Sequence, residues 1–200
     1  MTKTGIVILA AGASTRLGQA KQSLLYQGQT LLQRTLDVAL ALGDARVVVV
    51  LGANAATIHP QLKSAEAEVI INPDWSEGMA SSIRTGLSAL VHLAPETSSA
   101  LFLLCDQPFV TTSLLQQMTT ALGKTEKGIV ACSYQNTLGA PVLFSQKFFP
   151  QLMQLKGQEG AKKLLHKHPE QIETIAFPQG AIDIDTPSDY AALQRQKTNS

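Results

Sequence analysis

Residues 5–21 read GIVILAAGASTRLGQAK, and the fold turns on that stretch. The apolar run 6–10 breaks abruptly into small residues, and two fixed positive charges, Arg16 and Lys21, follow. This predicts a buried strand that delivers a short loop to the carboxyl edge of a sheet, where backbone N–H groups and two cations can surround a polyphosphate. Gly12 and Gly18 permit positive φ and close approach of backbone to ligand. Ser14 and Thr15 add hydroxyl donors, while Arg16 offers a planar fork for phosphate oxygens and Lys21 a mobile point charge. The spacing matches neither GxxxxGK(S/T) nor GxGxxG, so neither a P-loop ATPase nor a dinucleotide fold is indicated. The loop points to a nucleoside triphosphate. The competing reading is a glycine-rich turn with two solvated surface cations.

Outward from this stretch, short runs rich in Val, Ile and Leu recur at 46–51, 68–71, 100–104 and 128–132. Between them, 30–42, 53–63, 79–93 and 112–122 carry apolar residues at three- and four-residue spacing. Such alternation implies βαβ units: a single-domain, Rossmann-like three-layer α/β/α sandwich with a mostly parallel sheet. Gly43-Asp44 and Asn72-Pro73 punctuate it, and Thr111 starts a helix with a capping hydroxyl. From 137 onward the pattern loosens. A strand is expected at 140–144, short helices at 148–154 and 161–168, a strand at 172–176 and a last helix from Pro187 to 195. One domain over 1–195 with a frayed polar tail, 196–200, is the expected organisation.

Two acids fall at strand ends. Asp106 follows the apolar run ending at Cys105, and open α/β sheets bind ligands at that edge. Far downstream, Ile182-Asp-Ile-Asp185 alternates acid and isoleucine, which puts Asp183 and Asp185 on one face of an extended segment. One carboxylate from each segment, with Asp185 preferred to Asp183, suits a Mg²⁺ whose octahedron is completed by triphosphate oxygens and waters. The alternative roles are a turn acid at 106 and an Asx-turn or N-cap at 183 and 185. Asp189 reads as helix surface.

Composition narrows the partners. The 200 residues carry a net charge of +1, 44% hydrophobic and 16% charged side chains, an ordinary globular balance that gives no footing for nucleic acid or an anionic membrane. No apolar run approaches the roughly 20 residues that cross a bilayer, and no charged n-region precedes the first strand. Cys105 and Cys132 lack metal-ligand spacing and are expected as buried free thiols, which suits a cytoplasmic location. His59, His92, His166 and His168 have no acid partner in sequence and are expected to be non-catalytic.

Four segments together, LAAGASTRLGQAK (9–21), NPDWSEGMASSI (72–83), LCDQP (104–108) and DIDTPSDY (183–190), resemble the molybdenum-cofactor nucleotidyltransferases, most closely the cytidylyltransferase branch; GAPVLF (139–144) and GQEGAKKLL (157–165) add weaker support. The resemblance implies a nucleotide-diphospho-sugar transferase-like fold. It assigns Leu9, Ala10, Ala11, Gly12, Arg16 and Lys21 to the nucleotide, Asp106 to Mg²⁺ and Asp185 to the second acidic position. Asn72, Gly78 and Ser82 fall where such proteins build the base and ribose pocket, and Ser14 joins them from the loop chemistry. Paired alanines at 10 and 11 resemble the cytidylyl branch, whereas the guanylyl branch carries Ala-Gly-Gly. The implied substrates are CTP and molybdopterin, with a recipient molybdoenzyme or its chaperone as a transient partner. One departure stands out: Gln158 occupies the place of an acid in the family's Gly-Asp-x-Gly-Ala segment, which bears on the acceptor.

The expected reaction is attack of an acceptor phosphate on the α-phosphorus of CTP with release of pyrophosphate, and Arg16, Lys21 and Asp106 as the catalytic groups. Rival readings are the same chemistry on another acceptor (guanylyl transfer, or a sugar phosphate or other phosphorylated alcohol) and a non-catalytic nucleotide-binding regulator or cofactor carrier.

Overall fold

Alternating apolar residues make the first strand, β1 (Thr4–Ala10), a two-faced element. Ile6, Ile8 and Ala10 enter one core cluster and Val7 the other, both fully or almost fully buried. The computed structural model describes residues 3–63 and 65–196, with the side chain of Gln196 left aside; the expected tail at 197–200 lies outside them.

After β1 and the glycine-containing loop comes a small ribbon, β2 (Leu25–Tyr26) and β3 (Gln29–Thr30), that the sequence pattern did not announce. Thr30 then caps α1 (Leu31–Leu40) by accepting from the Gln33 amide at 3.1 Å. The next units are β4 (Val47–Leu51), α2 (Ala55–Ile58), β5 (Ala67–Ile71), α3 (Met79–Leu93), β6 (Ser99–Leu104) and α4 (Thr112–Lys124). The helix expected over 53–63 is shorter: Pro60 has no N–H to donate, and the chain tightens into a 3₁₀ turn, His59–Gln61. The chain closes with β7 (Ile129–Tyr134), β8 (Thr137–Ser145), α5 (Phe149–Leu152), α6 (Lys162–Lys167), β9 (Ile172–Ala176) and α7 (Pro187–Gln196).

Seven strands form one sheet in the order β5-β4-β1-β6-β8-β7-β9. All run parallel except β8, which pairs antiparallel with both β6 and β7. The β7–β8 hairpin turns at Gln135 and Asn136, with φ of 46° and 58°. Pro141 is tolerated inside β8 because it falls at the register shift opposite Ala131 and Cys132, beyond the last β6 pair.

The residue alternation continues across the sheet. Val47, Val49, Leu51, Leu101 and Leu103 pack with α1 and α4, and Val48, Val50, Ala100 and Phe102 with α3, α5 and α6. Each fully buried aliphatic side chain stabilises the fold by about 1.5–3 kcal/mol. Helix α3 rides directly on β1: a Cβ on Gly86 would lie 2.4 Å from a Val7 methyl. The architecture is thus a single-domain α/β sandwich. Its strand order reverses between β1 and β6, and the crevice beyond their carboxyl ends is the place where such sheets bind ligands.

Candidate active site

The loop after β1 is held by its own neighbours. Gln22, buried to 2% exposure, donates from Nε2 to the carbonyls of Ala10 at 2.8 Å and Gly12 at 3.0 Å. Ala53 N–H reaches the Ala11 carbonyl at 3.1 Å, tying the loop to the end of β4. Ser14 Oγ accepts from the Lys21 amide at 3.1 Å, so the loop closes on itself. Positive φ falls on Ser14 (54°) and Gly18 (74°), which corrects the expectation for Gly12. What Gly12 provides is space, since a Cβ there would meet nothing within 4 Å.

The acids arrive from two distant segments. Gln107 follows Asp106 and donates to the carbonyls of Ala140 and Gly180, both at 3.1 Å, drawing the C-terminal segment to the end of β6. Ile184 N–H then bonds the Asp106 carbonyl at 3.2 Å, bringing Asp185 alongside. Lys21 Nζ lies between the two acids, 2.7 Å from Asp106 Oδ2 and 2.6 Å from Asp185 Oδ1. Arg16 Nη2, from the exposed rim, meets Asp185 Oδ2 at 2.8 Å. The two cations thus engage carboxylates within the protein, where the sequence suggested phosphate oxygens alone.

Burial disfavours the Lys21 ammonium, but the charges and hydrogen bonds of Asp106 and Asp185 outweigh it and raise its pKa. The hydrogen bond from Lys21, with Arg16 adding to it, holds Asp185 below the usual carboxylate range. Asp183 is pushed up to about 6, by desolvation first and then by repulsion from Asp106 and Asp185. Asp189 is more than surface: it accepts from the Thr186 amide at 2.8 Å while its own N–H bonds Thr186 Oγ1 at 3.2 Å, a reciprocal cap on α7.

Among the described residues no group of three or more His, Cys, Asp or Glu side chains is gathered around a metal position. A pair is nevertheless a fitting donor set for Mg²⁺, which is held by one or two carboxylates plus substrate phosphates and water. Asp106 Oδ1 is buried without a partner, and the Asp106–Asp185 pair already accommodates a positive group between its oxygens. The residues fit a divalent cation.

The opposite wall is neutral. Asn72, 1% exposed, donates to Ser81 Oγ at 2.9 Å and Ser82 Oγ at 3.1 Å and accepts from the Asp74 amide. It therefore stands behind the wall and braces Ser82, which corrects the expectation that Asn72 lies in the base and ribose pocket itself. Gly78, at φ 128°, packs against another loop: a Cβ there would sit 2.4 Å from the Gly157 carbonyl. Its glycine is required by that contact and by its backbone angle.

These walls enclose a cavity of about 430 Å³. Of the expected binding residues, Leu9, Ala10, Ala11, Gly12, Ser14, Lys21, Gly78, Ser82 and Asp106 line it; Arg16 and Asp185 stand at its rim and Asn72 behind it. Trp75, Met79 and Gln158 also line it. Sequence reasoning missed Gln22 and Gln107, because a polar side chain that bonds backbone carbonyls leaves no periodic mark. Both cysteines are free and buried, and burial pushes their thiols up to about 12. None of the four histidines lines the cavity. No helix among the described residues is long and apolar enough to cross a membrane.

This fold and site have known counterparts. The chain is 30% identical over 192 residues to nicotine blue oxidoreductase of Paenarthrobacter nicotinovorans, covering 90% of this chain and 91% of that protein. It is 23% identical to the molybdenum cofactor cytidylyltransferase of Escherichia coli K12, covering 99% of each. The crystal structure of Rv0371c from Mycobacterium tuberculosis H37Rv in complex with manganese superposes with a TM-score of 0.80 at 30% identity, covering 97% of this chain and 99% of that one. The fold is that of the nucleotide-diphospho-sugar transferases, shared with nucleotidyltransferases. With the model of the MobA-like NTP transferase domain matching residues 6–172, the chain belongs to that family of nucleotidyltransferases.

Proposed function

We propose that the protein transfers CMP from CTP to the terminal phosphate of molybdopterin, or of its molybdenum form, with release of pyrophosphate. The observation that carries this reading is the meeting of Lys21, Asp106 and Asp185 at the reversal of strand order, beside an open glycine loop. Ala10 and Ala11 on the cavity wall and the full-length likeness to a cytidylyltransferase favour CTP.

An acceptor phosphate oxygen forms a bond to the α-phosphorus as the α–β bridging P–O bond breaks, and the electron pair leaves with pyrophosphate. The acceptor is already anionic, so no general base is needed. Lys21 and Arg16 supply fixed positive charge, and the loop braced by Gln22 supplies a preorganised backbone. Asp106 and Asp185 would hold a divalent cation, Mg²⁺ in this reading, which when bound neutralises charge on the phosphates and on the departing pyrophosphate. The buried free thiols suit a reducing cytoplasm. A recipient molybdoenzyme or its chaperone would take up the product.

The test is mass spectrometry of the product after incubation with CTP, Mg²⁺ and molybdopterin. A cytidine dinucleotide of the pterin is expected; unreacted pterin with every nucleotide contradicts the acceptor. A second reading, oxidoreduction of a nicotine-derived dye, is favoured by the 30% identity to nicotine blue oxidoreductase. It predicts bleaching of nicotine blue with a hydride donor and no requirement for Asp106.

A further inference from the structure

Lys21 and Asp106, the buried ion pair of the site, are each followed in sequence by a glutamine, Gln22 and Gln107, both 2% exposed. The two side chains make the same kind of contact. Gln22 Nε2 donates to the carbonyls of Ala10 at 2.8 Å and Gly12 at 3.0 Å. Gln107 Nε2 donates to those of Ala140 and Gly180, both at 3.1 Å. In each case one amide group commits both of its hydrogens to two backbone carbonyls. A carboxylate, thioether or aliphatic side chain of that length has no such pair of donors.

Stability alone does not account for this choice. Among the described residues four buried side-chain oxygens lack a partner, and three of them are Gln22 Oε1, Gln107 Oε1 and Asp106 Oδ1. An unpaired buried acceptor destabilises a fold, and an apolar side chain in its place avoids that penalty. What the glutamines fix is direction. A trans peptide sets the next N–H opposite its carbonyl, so Gln22 holds the Ala11 and Ala13 amides on the side away from itself. Both of those residues line the cavity. Gln107 holds the segment from Gly180 at the end of β6, where Ile184 N–H meets the Asp106 carbonyl and Asp185 reaches Lys21. We propose that Gln22 and Gln107 are a matched pair of positioning residues: Gln22 sets the loop amides for the triphosphate, and Gln107 sets Asp185 against Asp106 for the divalent cation. The pair rests on the reading that the cavity takes a nucleoside triphosphate with its metal.

Calorimetric titrations of the intact chain with CTP at stepped Mg²⁺ concentrations, together with thermal melts, test the assignment. Gln22→Met and Gln107→Met remove the paired donors at similar volume, and Gln22→Glu and Gln107→Glu remove them while keeping a polar group. Gln22→Met is expected to raise the CTP dissociation constant at saturating Mg²⁺ on the order of tenfold. Gln107→Met is expected to raise the Mg²⁺ concentration for half-maximal CTP binding by a similar factor, with affinity at saturating Mg²⁺ close to the parent's. A merely structural role lowers the melting temperature and leaves both constants unchanged in the folded protein. Parental constants in folded variants therefore overturn the proposal. Failure of both the Met and the Glu variants to fold assigns the glutamine to structure and overturns it too. A parent chain that binds no CTP at any Mg²⁺ concentration overturns the nucleotide reading beneath it.

Discussion

The two ends of the cavity are built by different physics. At one end Arg16, Lys21, Asp106 and Asp185 come from three segments and are joined by short ion pairs, with Lys21 largely buried among them. At the other end the Asn72 side chain bonds Ser82, and Gly78 packs so closely on the Gly157 carbonyl that it tolerates no extra methyl. Preorganised charge stabilises what develops during reaction, whereas a close-packed neutral wall selects shape and hydrogen-bonding edge. Substitutions at the charged end should therefore change turnover with little loss of fold, and those at the neutral end should change which substrate is taken.

The sharpest way to break this contrast is Asp106→Ala. Turnover should fall by about a hundredfold or more, with a circular-dichroism melt close to that of the parent; normal turnover removes the acidic pair from the chemistry. Next comes the unequal weight of the two cations. Lys21→Ala should impair triphosphate use more than Arg16→Ala, because Lys21 bridges both acids at 17% exposure while Arg16 touches one at 73%. Steady-state kinetics with thermal melts separates the cases, and a Lys21→Ala protein that simply unfolds assigns that lysine to structure.

Smaller effects sharpen the account. Asp189→Ala removes half of the reciprocal cap on α7 and should cost about 1 kcal/mol in urea unfolding. A cost near zero would mean that α7 is held by Leu193 and its neighbours alone. Asp183, pushed up to about 6, binds its proton more tightly folded than unfolded. Its contribution to stability is present while it is protonated and falls as pH rises from about 4 through about 6. Asp183→Asn should therefore gain melting temperature over the parent across that window and keep the gain above it; parallel curves would contradict the shift.

Much of this was legible in residue types. The run 6–10 followed by small residues marks β1 and its loop, and Cys105-Asp106 marks a strand end with an acid on it. The alternation at 182–185 put Asp185 on a face that the structure brings to Lys21. Strand direction was not legible, because β8 has the same apolar period whichever way it runs, and its reversal depends on a two-residue turn at Gln135 and Asn136. The short ribbon at Leu25–Tyr26 and Gln29–Thr30 is below the length at which a period shows. Gln22 and Gln107 work by donating to backbone carbonyls that only the folded chain brings near. Asn72 was visible as a polar residue beside a proline, but the direction of its amide, away from the cavity and onto Ser81 and Ser82, is a tertiary fact.

The most direct test of the central claim is pyrophosphate release with Mg²⁺ and molybdopterin, comparing CTP, GTP, ATP and UTP in the parent and in Asp106→Ala. Release with CTP and pterin together, lost in the variant, is the predicted result. Equal release by the two proteins, or none from the parent with any nucleotide and confirmed active pterin, would contradict it.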